Sequence, residues 1–412
     1  MAHRRIRTGN TKGGYLMPKV DFGASSMVIG GDQIFLGGST GLTIDGKRFV
    51  GEGDPAAQAE AAMLNVKVLL EEAGSSIEDI CMITPYTTKH AYRAEVYPVI
   101  ARHLKGVKPV STGLVVKSLA EPYIDFEIDV WAVIPTDLKK GHDRFHLVNT
   151  KGGYLMPQLD FENAKVVRAN NHVFLQGQTG LTLEGDGFVG DGNPAAQTEK
   201  AMENVRELLE GAGAKLEDIC KVTTYVTDAS FRKEVYPVLA RHLKGVAPVS
   251  TGIVVKALAR PELNFEIDVF AMTSPNNGTG HERFRPSPPN YLPSLDYTLS
   301  KAVRAGNFVF LQGQTGLALD GSGLIGRGDP AAQAERAMQN VKELLEEVGS
   351  DIQDICKITP YVTEQSYRAA VYPVIDHYLK GVNPTSTGIV AKALAAPELD
   401  FEIDVFAVIP ED

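Results

Sequence analysis

Three short phrases of this 412-residue chain set a carboxylate in an apolar, strand-like run: Phe126-Glu127-Ile128-Asp129, Phe265-Glu266-Ile267-Asp268 and Phe401-Glu402-Ile403-Asp404. Ahead of each stands Pro-(Val/Thr)-Ser-Thr-Gly, which puts Ser111 and Thr112, Ser250 and Thr251, and Ser386 and Thr387 at matching positions. A buried carboxylate beside hydroxyls and backbone N–H groups orients or deprotonates a water, which is what hydrolysis of a C=N bond requires. Glu127, Glu266 and Glu402 are therefore the candidate catalytic residues, and the six hydroxyls on the preceding strand are candidate substrate contacts. A solvated or salt-bridged strand face is the plain alternative. Asp129, Asp268 and Asp404 fall on the same strand face, because side chains alternate with a period of two. Carboxylates about 7 Å apart along a strand either share acid and base roles or form structural ion pairs.

Other chemistry-bearing residues also come in threes. Cys81, Cys220 and Cys356 occupy one equivalent position, an odd count at separated sites that makes no disulfide framework and reads as buried structural thiols. His3, His142 and His281 form one set, and His103, His242 and His377 another. Neither has metal-binding spacing, and the second set lies near a helix C-terminus. No metal or organic cofactor is expected. Gln58 and Asn65, with Gln197 and Asn204 and Gln333 and Asn340, lie seven apart on one helix side and suit buried backbone groups. The glycine-rich loops lack the phosphate-binding pattern G-x4-G-K-(S/T).

The elements that must position these residues repeat as well. Gly41, Gly180 and Gly316 are equivalent, 139 and 136 residues apart, and every phrase recurs in order around them. Three units follow, at 1–135, 136–272 and 273–412. In the second, 165–169 and 172–176 form a hairpin turning at Asn170-Asn171, and Asn193-Pro194 opens an amphipathic helix that Gly211 and Gly213 end. A strand over 219–227, a helix over 228–243 kinked or split by Pro237, and strands over 249–258 and 264–272 complete it. The expected fold is α+β, three tandem β-β-α-β-α-β-β domains. Helices on one sheet face leave the other bare, and three linked copies cover it by closing into a single-chain pseudo-threefold trimer, sheets inward and helices outward. The joints, 136–148 and 273–293, carry His142-Asp143-Arg144-Phe145 and His281-Glu282-Arg283-Phe284, echoing His3-Arg4-Arg5-Ile6. A mere tether needs no such motif, so these segments are expected to dock.

Composition narrows the function. A formal charge of −10 and a pI near 5.5 argue against a nucleic-acid or anionic-membrane surface. No apolar run reaches the ~18 residues of a membrane span and no signal-peptide pattern follows the basic start, so a cytoplasmic protein is expected.

The pattern (L/F)-x-G-(S/Q)-T-G, (D/N)-P-A-A-Q-x6-N-V, a Thr-rich strand, P-x-S-T-G and F-E-I-D resembles the RidA/YjgF family in each repeat. The resemblance implies RidA-like domains, ligand clefts between neighbouring units, and for family deaminases the hydrolysis of 2-imino or enamine acids. It implies that Glu127, Glu266 and Glu402 position water. The family arginine that grips the substrate carboxylate is replaced by Ser111, Ser250 and Ser386, and the family tyrosine before the first strand is unmatched near Ala24, Asn163 and Leu299.

With that arginine gone, a carboxylate substrate needs another cation. The sequence offers Arg5, Arg144 and Arg283 in the docking segments, and Arg93, Arg232 and Arg368 at the second helix; surface or inter-repeat salt bridges are the alternative for both sets. The leading expectation is a small-molecule hydrolase or deaminase acting on a C–N or C=N bond, in a chain that is a monomeric pseudotrimer with no nucleic-acid or membrane partner. The alternatives are a non-catalytic ligand-binding or protein-interaction module, and ring-hydrolysing or lyase chemistry on the same scaffold. In the first copy Gly37-Gly38-Ser39-Thr40 replaces the Gln-Gly-Gln-Thr of the others, so the three clefts are free to diverge.

Overall fold

Strand residues of both parities are apolar in every repeat, which requires that both sheet faces be covered. In a computed structural model, residues 3–274, 280–288 and 297–411 are described, and the joint at 273–293 lies partly outside them. The first repeat runs β1 (Arg4–Asn10), β2 (Gly23–Gly30), β3 (Gln33–Leu36), α1 (Pro55–Ala73), β4 (Ile80–Thr87), α2 (Arg93–His103), β5 (Val110–Ser111), β6 (Leu114–Val115) and β7 (Phe126–Val133). Its sheet order is β1-β2-β3-β7-β4-β5, with β5 and β6 parallel to β4 and the other pairings antiparallel. The sheets of the second and third repeats have the same order.

Each repeat therefore has an edge strand that the sequence did not suggest. The docking segments supply it, as Arg4–Asn10, Asp143–Asn149 and Glu282–Phe284, each antiparallel to the first hairpin strand. Their histidines and arginines fasten each repeat to the one before. His142 bonds the Val133 carbonyl and His281 that of Met272, while His3 reaches Val408 near the far end of the chain and so closes the ring. Burial holds these three imidazoles below their usual pKa, in the neutral form.

Local signals act as the sequence indicated. Asp54 and Asn193 accept from Ala57 and Ala196 N–H as N-caps, and Asp329 does so from Ala331 and Ala332. Asn170 takes positive φ (53°) in the hairpin turn. The proposed helix over 228–243 is a short 3-10 turn, Ala229–Phe231, followed by Arg232–His242, which continues through Pro237. The strand expected over 249–258 ends at Val254. There the chain leaves its own sheet, and Val254 and Ala257 bridge to Ala393 and Val115 of the other two repeats.

Alternation along the strands divides the core. Met27, Ile29, Ile34, Leu36, Ile128 and Val130 face α1 and α2 in the first repeat. Val28, Phe35, Trp131 and Val133 face the opposite way, into one cluster shared with Phe174 and Phe270 of the second repeat and Phe308 and Phe406 of the third. At its centre the equivalent residues Trp131, Phe270 and Phe406 touch one another, with ring centroids 4.8–5.8 Å apart. The three sheets close about this pseudo-threefold axis with their helices outside. Cys81, Cys220 and Cys356 lie buried in the same cluster as free thiols, and burial pushes each up to about 12.

Candidate functional site

The alternation that puts Trp131 on the inward face puts Asp129 and Glu127 there too. Gln58 fixes where β7 begins: its side-chain oxygen accepts from the Asp125 and Phe126 N–H groups, and its amide donates to the Gly51 and Tyr123 carbonyls. Gln197 and Gln333 do the same for the other copies. These glutamines serve buried backbone groups, as their type and spacing suggested.

Each glutamate meets hydroxyls, but of the neighbouring repeat. Sequence order suggested that Glu127 works with Ser111 and Thr112 of its own unit. In the structure β4 stands between β7 and β5, and the strand facing each glutamate comes from across the repeat boundary. Glu127 and Ser386 line one cavity, and Glu266 and Ser111 another. By the same rotation Glu402 belongs with the second repeat: Gly313, whose Cα touches its carboxylate, donates its N–H to the Ser250 carbonyl. A methyl built on Gly38, Gly177 or Gly313 would overlap Oε1 of Glu127, Glu266 or Glu402, so only glycine allows the carboxylate this approach.

The threonines of Ser-Thr-Gly serve the second carboxylate. Thr112 donates to Asp268 (2.5 Å) and Thr251 to Asp404. Lys357 spans the boundary to Asp129 at 2.7 Å and also donates to the Thr387 hydroxyl and the Leu36 carbonyl, while Lys221 does likewise for Asp404 at 3.0 Å. These aspartates are the structural ion pairs of the two readings. The third boundary differs, because Met82 stands where the others have lysine. Among the described residues Asp268 then accepts from the Thr112 and Tyr225 hydroxyls with no lysine beside it, and burial pushes its carboxyl up to about 7.

The glycine of Ser-Thr-Gly makes room for the second helix. Side chains on Gly113 or Gly388 would collide with Tyr97 and Arg93, or with Tyr372 and Arg368. The arginines thereby reach the glutamates: the positive charges of Arg368, Arg93 and Arg232 act on Glu127, Glu266 and Glu402 respectively. Burial is the stronger influence and pushes all three glutamates up to about 8. The tyrosines of Val-Tyr-Pro escaped the sequence reading; their only signal was recurrence one residue before the helix proline.

Arg144 and Arg283, also considered as substrate contacts, lie elsewhere. Arg144 donates to the carbonyls of Lys108, Glu78 and Ile80, and Arg283 to those of Ala247, Glu217 and Ile219. Their donors are committed to docking the edge strands, which corrects that expectation. His103 and His242 bond Glu60 and Glu199 on the outer helices, but the matching place in the third repeat is held by Tyr378, which donates to Glu335, so His377 does not belong to that set. No cluster of potential metal ligands occurs among the described residues.

The cavity between repeats 1 and 3 measures about 300 Å³, and that between repeats 2 and 1 about 40 Å³. The larger holds Glu127, Arg368, Tyr372 and Ser386, under a flap formed by the segment around Tyr15 to Met17.

A sequence profile described as Endoribonuclease L-PSP matches residues 19–134, 160–273 and 293–409. A RutC family protein of Pyrococcus horikoshii is 30% identical over 109 residues, 26% of this chain and 84% of the relative. The chloroplastic Reactive Intermediate Deaminase A of Arabidopsis thaliana is 31% identical over 106 residues, 26% of this chain and 54% of the relative. Among solved structures, a chorismatase covers 80% of this chain and 93% of its own at 13% identity and a TM-score of 0.51, a likeness of fold alone. No helix among the described residues is long and apolar enough to cross a membrane.

Proposed function

The chain belongs to the endoribonuclease L-PSP family, that of the RutC and RidA/YjgF proteins, and from that premise we propose that it is a cytoplasmic small-molecule hydrolase or deaminase acting, as a single chain, on the C–N or C=N bond of a carboxylate-bearing metabolite. One observation carries the reading: Glu127 and Arg368, buried and contributed by different repeats, line the same cavity of about 300 Å³. Arg368 takes the place of the family arginine and holds the substrate carboxylate, with the Tyr372 and Ser386 hydroxyls beside it. Ionised Glu127 takes a proton from water as the water oxygen bonds to the imine carbon. That proton passes to nitrogen to give a carbinolamine; Glu127 then takes the hydroxyl proton and delivers it to nitrogen as the C=O bond forms and the C–N bond breaks, so that a carbonyl compound and ammonia leave. The name of the Arabidopsis relative, a reactive intermediate deaminase, agrees with this class of reaction.

The test is ammonia release from a panel of imines, enamines and amides at varied pH. Burial holds Glu127 up to about 8, so the proton-accepting form is scarce at neutral pH and fills as pH rises. For a substrate that does not itself titrate, kcat/KM should climb with pH and level off above about 8. A profile flat from about pH 6 to about pH 9, or no turnover across the panel, contradicts the reading.

A further inference from the structure

We infer that only one of the three inter-repeat clefts, that between repeats 1 and 3, accepts a ligand, and that Lys165 with Gln176 in the second and Lys301 with Gln312 in the third fill the space the ligand takes in the first. The class of ligand, a small carboxylate, rests on the function proposed above. The choice of cleft rests on geometry.

Three wall positions distinguish the clefts. The first has Ser26, Gly37 and Ser39; the second has Lys165, Gln176 and Gln178; the third has Lys301, Gln312 and Gln314. The first three line the larger cavity and the next three the smaller one. Going from Lys, Gln and Gln to Ser, Gly and Ser removes about eleven side-chain heavy atoms from one wall, a loss on the scale of the void because protein interiors are otherwise close-packed. Gln178 and Gln314 fold back to donate to the carbonyls of Gln176 and Gln312, while Lys165, Gln312 and Gln314 are all buried. A cavity of about 300 Å³ lies at the lower end of the range for small-molecule sites, whereas one of about 40 Å³ has room for little more than water.

The arginines of the first and third clefts differ in the same sense. Arg232 is spent on the protein, donating to the carbonyls of Leu394 (2.7 Å) and Gly252 (3.1 Å). Arg368 is 5% exposed; among the described residues its Nε and NH1 have no hydrogen-bond partner, and its NH2 donates to the Tyr372 hydroxyl and the Met17 sulfur. A buried guanidinium with idle donors is costly unless an anion completes it. A planar carboxylate suits the fork of Nε and a terminal nitrogen.

The experiment counts bound ligand on the full chain, by calorimetry with pyruvate and phenylpyruvate at up to tens of millimolar. One equivalent per chain is expected. Ser26→Lys with Gly37→Gln, which installs the residues natural to the other clefts, should abolish it. Arg368→Gln should weaken it about ten- to a hundredfold, the worth of a charge-assisted hydrogen bond. Lys165→Ser with Gln176→Gly and Gln178→Ser should add a second equivalent. Two or three equivalents on the unaltered chain, binding that survives the plug, or no binding of either acid overturns the inference. One-site binding without ammonia release keeps the inference and removes the hydrolase reading. Ammonia release that persists in the plugged variant does the reverse.

Discussion

Replacing Glu127 by Gln should lower kcat on the best imine substrate by about a hundredfold to ten-thousandfold, the usual contribution of a positioned general base. The substitution keeps the shape of the side chain and its contact with Gly38, and leaves Arg368, Tyr372 and Ser386 in place. The loss should therefore fall on kcat, with KM moving much less. Two controls exist within the same chain. Glu266 and Glu402 are as deeply buried, are raised to the same value of about 8 and touch equivalent glycines. Glu266→Gln and Glu402→Gln should leave turnover within about twofold, because neither change touches a site that binds substrate. Undiminished turnover in all three variants would remove glutamate from the mechanism altogether.

The second large effect is on stability. Lys357 and Asp129 have side chains 1% and 5% exposed, and their ion pair bridges the third repeat to the first. Lys357→Met should destabilise the chain by about 3–5 kcal/mol, since it leaves one buried carboxylate without its cation. The arrangement it creates already occurs at the boundary of Met82 and Asp268, so the variant should still fold. Its penalty should depend on pH. Asp268, without a lysine, is raised to about 7. A carboxyl raised in this way adds stability while the unfolded chain is also protonated, and loses it as pH climbs from about 4 through its folded value. The variant's deficit in urea denaturation should accordingly be smaller near pH 5 than near pH 8. A deficit below about 1 kcal/mol at pH 8 would show that the pair does not hold the boundary.

Sequence and structure agree where the physics is local. Asp54, Asn193 and Asp329 cap their helices, Asn170 turns its hairpin, and the sheet face left bare by the helices needed a cover, which the closed ring provides. Agreement fails where one repeat must choose a neighbour. Nothing in the spacing of Glu127 and Ser111 shows that β4 separates their strands and that Ser386 is the serine lining the same cavity. The docking segments were legible as a motif but not as strands, because their burial alternates weakly at an exposed sheet edge. The change from lysine to Met82 was visible in the text, yet it acquires meaning only once Lys221 and Lys357 are seen crossing to aspartates of another repeat. The change to Gly37 and Ser39 was likewise visible in the sequence, but only the fold brings it beside Ser26 on one cavity wall.

The ligand can be located directly. Crystals soaked in 4-bromobenzoate would report its bromine by anomalous diffraction. The account predicts one bromine site per chain, in the cavity between repeats 1 and 3, with the carboxylate on Arg368 and Glu127 within reach. Equal occupancy beside Glu127, Glu266 and Glu402, or density only outside that cavity, would contradict it.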